Sequence, residues 1–213
     1  MQTRRPWLRR ASVTAVSAAA LVAMAAPADA TTATRASTSA TAAATAAAAD
    51  VDYTTWQKDC QAVMAQALPY LKQRIAAAKP GEKQAIVFDI DNTTLETDFG
   101  FSYPQPANKP VLEAARYAQE HGVALFFVTA RPDIIYSATE YNLKQAGYQV
   151  SGLYVRNFID LFKNVAEYKT AQRVNVEKKG YTIIANIGNS ATDLSGGHAE
   201  KTYKLPDYDG QLS

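Results

Sequence analysis

Two acidic side chains at the end of an apolar run are the first candidates for chemistry. Asp89 and Asp91 follow directly on the run AIVF at residues 85–88. A short, almost unbroken run rich in β-branched and aromatic residues predicts a strand buried on both faces of a parallel sheet. Open α/β sheets bind their ligands at the carboxyl ends of such strands. Because two acids add nothing to the packing of the strand, we expect them to serve a ligand or a reaction.

Further polar residues fall at the same kind of position. Thr129 follows a second apolar run, and Asn189 follows a later one, with Asp193 four residues beyond it. Right-handed crossover connections bring the carboxyl ends of parallel strands to one edge of the sheet. Lys169 lies on the helix predicted before the last of these strands, from which its side chain can reach the same edge.

This set of side chains predicts a phosphate ester bound with a magnesium ion. The predicted ligands are Asp89, the main-chain carbonyl of Asp91, Asn189, and Asp193 directly or through water. Hard oxygen ligands suit octahedral Mg²⁺, whereas zinc prefers histidine and cysteine.

The same residues have the types needed for phosphoryl transfer, which depends mainly on positioning and charge neutralisation. Asp89 can attack phosphorus as a nucleophile, and Asp91 can give a proton to the leaving alcohol and later take one from water. Thr129 and Lys169 would hold the transferred oxygens through a hydroxyl and an ammonium group.

The surrounding pattern predicts the elements that position these residues. An apolar stripe over 53–75 predicts an amino-terminal amphipathic helix, kinked or divided at Pro69. Strands and helices then alternate, which predicts an α/β fold with a parallel sheet between two helical layers. The predicted strands are 85–88, 123–128, 150–155, 181–187 and 201–205, and the later helices are 109–121, 133–145 and 163–179.

The amino terminus has the composition of an export signal. Residues 1–30 contain four arginines, an apolar core over 11–26 and a small-x-small site at Ala28-Asp29-Ala30. An uncleaved anchor is the alternative, although about 16 apolar residues are short for a span that needs about 20. The pattern around Arg4 and Arg5 fits the twin-arginine export route as well as an ordinary signal. Residues 31–50 are almost wholly Ala, Thr and Ser and predict a flexible linker, so the folded domain is expected at 51–213.

Charge and cysteine content limit the classes of partner. The whole chain carries a net charge of +2, and residues 1–30 contribute four arginines and one aspartate, so the remainder carries −1. We therefore expect a small-molecule phosphomonoester as the partner, with no nucleic acid and, after signal cleavage, no membrane. The single cysteine, Cys60, excludes an intramolecular disulfide and lies on the apolar helical stripe, as a small buried side chain would.

Four segments, in order, resemble the motifs of the haloacid dehalogenase superfamily. FDIDNTTL at 88–95 is similar to its first motif, Asp-x-Asp-x-Thr after an apolar strand. FFVTAR at 126–131 is similar to the second, and Lys169 in EYKTAQR to the third. IGNSATDL at 187–194 is similar to the fourth, Gly-Asp-x-x-x-Asp, except that Asn189 replaces an acidic residue.

The resemblance implies a fold, an activity and alternatives to that activity. It implies a Rossmann-like three-layer sandwich with a minimal cap, and phosphomonoester hydrolysis through an aspartyl-phosphate on Asp89. Among members of the superfamily, the chain is similar to the secreted acid phosphatases that include plant vegetative storage proteins and the class B and class III enzymes. Asn189 leaves open a weakly active or inactive binding or storage protein. A phosphorylation switch like receiver domains is a third hypothesis, disfavoured by the predicted export and by Asp193.

Overall fold

The computed structural model describes residues 51–100 and 102–212 of this chain. The predicted signal at 1–30 and linker at 31–50 lie outside the described residues. Among those that are described, no helix is both long and apolar enough to cross a bilayer.

A five-stranded parallel sheet forms the centre of the domain, in the order β3-β2-β1-β4-β5. β1 is the middle strand and pairs with β2 on one side and β4 on the other. The strands are β1 Lys83–Phe88, β2 Ala124–Pro132, β3 Gly152–Arg156, β4 Tyr181–Gly188 and β5 Thr202–Lys204.

Helices connect these strands in the alternation expected of a parallel sheet. They are α1 Tyr53–Ala76, α2 Lys109–Glu120, α3 Tyr136–Gln145, α4 Val165–Lys178 and α5 Ala191–Leu194. Two short 3-10 helices, Asp133–Ile135 and Asp160–Phe162, precede α3 and α4. The predicted fold class is confirmed, and every predicted strand and helix is found. Their ends differ from the predicted ones by at most three residues, except that β2 continues four residues beyond its predicted end at residue 128.

The central strand β1 supplies side chains to two apolar clusters, because successive side chains of a strand point to opposite faces. Ile86 and Phe88 belong to the larger cluster, which contains the buried faces of α1 and α2. Ala85 and Val87 belong to the second cluster, together with buried residues of α4. The sheet therefore has helices on both faces, and both cores meet at β1.

The amino-terminal helix α1 covers one face of the sheet. Asp52 caps it by accepting hydrogen bonds from the amide and the hydroxyl of Thr55, at 2.8 and 2.9 Å. Pro69 lies inside one continuous helix, so of the two expected outcomes, a kink or a division, the division was wrong. The residues of α1 that are buried recur at steps of three and four: Trp56, Cys60, Met64, Ala67, Leu71 and Ile75.

The connection from β1 to α2 is where the minimal cap was expected. Its described residues, 89–100 and 102–108, form only two isolated bridges, Asp91 with Leu95 and Leu95 with Ala107. No helix or longer strand forms among them, which agrees with the expected minimal cap.

Candidate active site

Asp89 lies at the carboxyl end of the central strand, between the ends of β2 and β4. Its amide donates to the carbonyl of Ile187 at 2.9 Å, which extends the pairing of β1 with β4 by one residue. The residue is 6% exposed. The sheet thus fixes the Asp89 backbone and presents the carboxylate at the carboxyl edge.

One ammonium group joins two buried carboxylates at this edge. Lys169 Nζ lies 2.7 Å from Asp89 Oδ1 and 2.5 Å from Asp193 Oδ1, and all three side chains are at most 7% exposed. Two carboxylates share one ammonium, so these three side chains carry a net charge of −1 when all are ionised. An uncompensated buried charge is costly, which favours the binding of a further cation.

Burial and mutual contact both shift the ionisation of these groups. Burial raises the pKa of Asp89 above that of an ordinary aspartate; Lys169 opposes this shift, and the nearby Asp193 and Asp91 add to it. Burial works against the charged form of Lys169, yet contact with Asp89 and Asp193 raises the pKa of Lys169 above its ordinary value. Lys169 is therefore held in its charged form at the edge of the sheet.

The tight turn after β4 positions Asp193 against Lys169. Asp193 Oδ2 accepts a hydrogen bond from the amide of Ser190 at 2.8 Å, closing a capping box at the start of α5. Gly188 allows this approach, because a Cβ there would lie 2.4 Å from Asp193 Cβ. Both carboxylate oxygens of Asp193 are thus engaged by the protein itself.

Asp91 pairs with Arg131. Arg131 is the last residue of the motif FFVTAR at 126–131, but it is not one of the predicted site residues. Arg131 Nη2 lies 2.7 Å from Asp91 Oδ1, and Nε lies 3.2 and 3.1 Å from Oδ1 and Oδ2. Thr97 Oγ1 donates to Asp91 Oδ1 at 2.9 Å. Arg131 also donates to Gln105 Oε1 at 3.0 Å and to Thr139 Oγ1 at 3.3 Å. The Asp91 carboxylate is therefore held in place by a guanidinium and a hydroxyl group.

Asn189 is oriented by two partners on opposite sides of its amide. Its Nδ2 donates to the main-chain carbonyl of Leu212, and its Oδ1 accepts from Thr93 Oγ1 at 3.3 Å. Because a carbonyl can only accept, the amide nitrogen must face Leu212 and the oxygen must face Thr93.

Each residue of the Asp91–Arg131 pair lines a different cavity. The smaller, of about 210 Å³, is lined by Asp89, Asp91, Ala130, Val165, Lys169, Asn189, Ser190, Thr192 and Asp193. The larger, of about 500 Å³, is lined by Thr97, Gly100, Ser102, Tyr103, Gln105, Arg131, Ile135, Ala138 and Thr139. Asp91 lines the first cavity and its partner Arg131 lines the second, so this ion pair connects the walls of the two.

Five of the six predicted site residues line the smaller cavity, and Thr129 does not. Strand β2 continues past Thr129 to Pro132, which pairs with Arg156 of β3 after an irregularity in register. Thr129 therefore lies within a strand, fully buried, and its Oγ1 accepts from the amide of Arg131 at 3.2 Å. This hydroxyl holds the backbone of Arg131 near the end of β2.

Arg173 supports the site but was not predicted. It is 1% exposed and donates to the carbonyls of Asp193 at 2.6 Å and Gly197 at 2.8 Å, and also to that of Ser195. It lies four residues after Lys169, on the same face of α4. A basic residue at a buried helical position was the sequence signal for this role.

The donor set suits a hard divalent cation. Carboxylate and amide oxygens line the smaller cavity, and Asp89 Oδ2 has no hydrogen-bond partner within the described part of the chain. The same part contains no group of three or more His, Cys, Asp or Glu residues arranged to hold a metal. A cation that keeps several waters, as Mg²⁺ does, needs few protein ligands and fits these residues.

Comparison with protein families gives one match over most of the chain. A family model described as "HAD superfamily, subfamily IIIB (Acid phosphatase)" matches residues 9–105 and 102–211.

Similar sequences occur among soybean (Glycine max) proteins. The stem 28 kDa glycoprotein is 33% identical over 119 residues, which cover 54% of this chain and 47% of that protein. A stem 31 kDa glycoprotein is 33% identical over 119 residues, covering 54% of this chain and 41% of that protein. The matched stretch thus spans less than half of the length of these two relatives.

Solved structures share the fold. The class C acid phosphatase from Bacillus anthracis aligns with a TM-score of 0.55 at 17% identity, covering 68% of this chain and 67% of that one. Its tungstate-bound form aligns with a TM-score of 0.53 at 16% identity and the same coverage. At these identities the likeness is one of fold.

Proposed function

Since the chain belongs to the HAD superfamily, subfamily IIIB of acid phosphatases, we propose that it is a secreted, magnesium-dependent acid phosphatase that hydrolyses phosphomonoesters. The observation that carries the proposal is the contact of Lys169 with both Asp89 and Asp193 in one cavity at the end of the central strand. A nucleophile beside a fixed cation at a strand end is the arrangement that phosphoryl transfer needs.

In the proposed first step, Asp89 Oδ2 attacks phosphorus and the bond from phosphorus to the leaving oxygen breaks. The leaving oxygen takes a proton from Asp91, and the phosphoryl group remains on Asp89 as an aspartyl-phosphate. In the second step a water gives its proton to Asp91 and attacks phosphorus, which releases inorganic phosphate and restores Asp89. Lys169 neutralises charge on the phosphoryl oxygens in both steps.

Asp91 must hold a proton at the start of this cycle, yet it lies in an ion pair with Arg131. The pair must therefore loosen when substrate binds, so that the Asp91 carboxyl group can face the leaving oxygen. Arg131 has other acceptors in Gln105 and Thr139, so it can stay in place while Asp91 turns toward the leaving oxygen.

Magnesium would be held by Asp89, the Asp91 carbonyl, Asn189 and Asp193, and would supply positive charge to the phosphoryl oxygens. The net negative charge of Asp89, Lys169 and Asp193 together supports this assignment. Thr129 is proposed only as a support for Arg131, because its hydroxyl accepts a hydrogen bond from the Arg131 amide.

The larger cavity is the proposed place for the alcohol part of the substrate. It adjoins the smaller one at the Asp91–Arg131 pair, and Tyr103 and Ile135 give it apolar surface. A small phosphomonoester with a ring-bearing or apolar leaving group fits this combination. Nucleic acid is not expected as a partner because the chain has no strong positive charge.

A weakly active or inactive binding protein on this fold is the alternative. It is favoured by Asn189, which removes one negative charge from the predicted metal ligands. The presence of Asp89 at the nucleophile position favours the enzyme.

Secretion is proposed from residues 1–30, and two similar proteins that are named glycoproteins agree with export. Expression of the full chain in a host with both export routes tests this. Export that is abolished by changing Arg4 and Arg5 together to lysine would indicate the twin-arginine route.

The decisive experiment measures phosphate release by the purified protein from aryl phosphates and nucleotides, with Mg²⁺ and with chelator. We expect turnover with Mg²⁺, loss with chelator, and loss in Asp89→Asn. Wild-type turnover in Asp89→Asn would overturn the assigned nucleophile. No turnover with any ester or metal, restored by Asn189→Asp alone, would favour the binding protein.

A further inference from the structure

Asn189 occupies a position where the motif expects an acidic residue, and its contacts give a reason for the difference. We propose that Asn189 is a positioning residue that joins the C-terminal segment, residues 205–212, to the loop that carries Asp91. The part of the inference that concerns catalysis rests on the proposed phosphatase function.

The amide at position 189 does what a carboxylate cannot do. Its Nδ2 donates to the carbonyl of Leu212, which has no proton to offer. An ionised aspartate at this position would place a second acceptor against that carbonyl and lose the hydrogen bond. Asn189 is 2% exposed, so water could not replace the lost contact without local opening.

The other side of the same amide reaches the loop after β1. Asn189 Oδ1 accepts from Thr93 Oγ1 at 3.3 Å, and Thr93 is fully buried two residues after Asp91. The Thr93 amide donates to Ile90 at 3.2 Å, so its position is tied to the turn that carries both catalytic aspartates. The single side chain of Asn189 thus bridges this turn and the C-terminal segment.

The C-terminal segment is built to hold Leu212 in place. Leu205 and Leu212 are buried in the larger apolar core, and the Leu205 amide donates to Gly188 at 2.9 Å. Tyr208 Oη donates to Asp59 of α1 at 2.7 Å. The backbone φ angles of Tyr208 and Asp209 are 49° and 55°, in the left-handed region that non-glycine residues rarely adopt. Such backbone persists where surrounding contacts fix it, which fits a segment held at both ends.

Lys204 fixes the backbone of Asn189 from the same side. Its Nζ donates to the Asn189 carbonyl at 2.7 Å and pairs with Asp207 at 3.0 Å. The side chain of Asn189 is therefore bonded to Leu212 of the C-terminal segment, and its main-chain carbonyl is bonded to Lys204 of β5. A movement of residues 205–212 would therefore change the position of the turn that contains Thr93, through the side-chain amide of Asn189.

Hydrogen exchange of the full-length protein in chelator tests the contact without any activity. We expect Asn189→Asp to raise exchange of amides in 205–212 by about tenfold, with a smaller rise in 92–98. Asn175→Asp on α4 makes the same change of charge and shape away from Leu212, and its exchange in both stretches should match the wild type. Unchanged exchange of 205–212 in Asn189→Asp would overturn the proposal.

A second variant tests transmission to the site. Tyr208→Phe removes the bond to Asp59 but keeps the ring, and leaves Asn189 intact. We expect this substitution to raise the hydrogen exchange of amides in 92–98. If the protein is a phosphatase, kcat should also fall severalfold. KM should stay within about twofold of the wild type, because Lys169 is not disturbed. If the wild type is active, a rise in exchange that is confined to 205–212, together with an unchanged kcat of Tyr208→Phe, would overturn the coupling between the C-terminal segment and the site. An inactive wild type would overturn the phosphatase function and leave the exchange result valid.

Discussion

Lys169 and Arg173 lie one helical turn apart on α4, and both hold Asp193, one by its side chain and the other by its main chain. Lys169 Nζ contacts Asp193 Oδ1, and Arg173 Nη1 lies 2.6 Å from the Asp193 carbonyl. Residues four apart on a helix share a face, so a single helix presents both the ammonium of the proposed phosphate site and the guanidinium that supports the Asp193 turn. This relationship makes separate predictions for the two residues.

Lys169→Met should remove activity and destabilise the metal-free protein. Two buried carboxylates, Asp89 and Asp193, lose the cation that they share, and breaking a buried pair in this way costs about 3–5 kcal/mol. Chemical denaturation in chelator measures the loss. Adding Asp89→Asn to Lys169→Met should recover part of the stability, because one uncompensated charge is then gone. A double variant less stable than the single one would contradict the charge explanation.

Arg173→Met should lower the free energy of unfolding by about 2–4 kcal/mol, because up to three carbonyls would be left without this donor. Activity should fall as well, since the turn that holds Asp193 would loosen. Denaturant unfolding and phosphate release measure the two effects. Lys178→Met removes a basic residue from the exposed end of the same helix and should be close to wild type. Equal effects of the two substitutions would contradict a supporting role for Arg173.

The positions of the site residues could be predicted to different degrees. Asp89 and Asp193 were found because apolar strands end beside them, and a parallel sheet brings strand ends together. The Asp91–Arg131 pair could not be found in this way, because it depends on how the irregular connection 89–108 folds. Thr129 was expected in the cavity because its strand was predicted to stop at residue 128, whereas pairing with β3 resumes at Pro132.

The contacts of Asn189 show a second limit of local patterns. The motif identifies its position relative to Asp193, and from that a metal ligand was inferred. Its amide partner, Leu212, is 23 residues away and lies in a segment with no regular helix or strand. No periodicity or motif marks such a contact, although the replacement of an expected acid by an amide was a visible signal.

Arg131→Gln should lower kcat by roughly 10- to 100-fold with a smaller change in KM, because the residue orients the proposed proton donor Asp91 and lines the larger cavity, not the smaller one. Steady-state kinetics with an aryl phosphate and Mg²⁺ provide the measurement. Gln105→Leu removes another contact of Arg131 and leaves its pair with Asp91, so its kcat should stay near that of the wild type. An increase in KM alone for Arg131→Gln would instead indicate direct contact with substrate.

The stability of the fold should depend on pH through Glu82, at the start of β1 and away from the site. Hydrogen bonds from Arg74 and from the Lys79 amide lower the pKa of Glu82 from 4.5 to about 2. Between pH 4.5 and 2 the unfolded chain binds more protons at Glu82 than the folded one does. The contribution of ionised Glu82 to stability is therefore full above pH 4.5 and is lost as the pH falls toward 2. Glu82→Gln should therefore lower Tm at pH 7, and the difference from wild type should shrink through this window. Glu140→Gln breaks an exposed pair on α3 and should change Tm little at either pH. A Glu82→Gln deficit that stays constant down to pH 2 would mean that packing, not ionisation, is the cause.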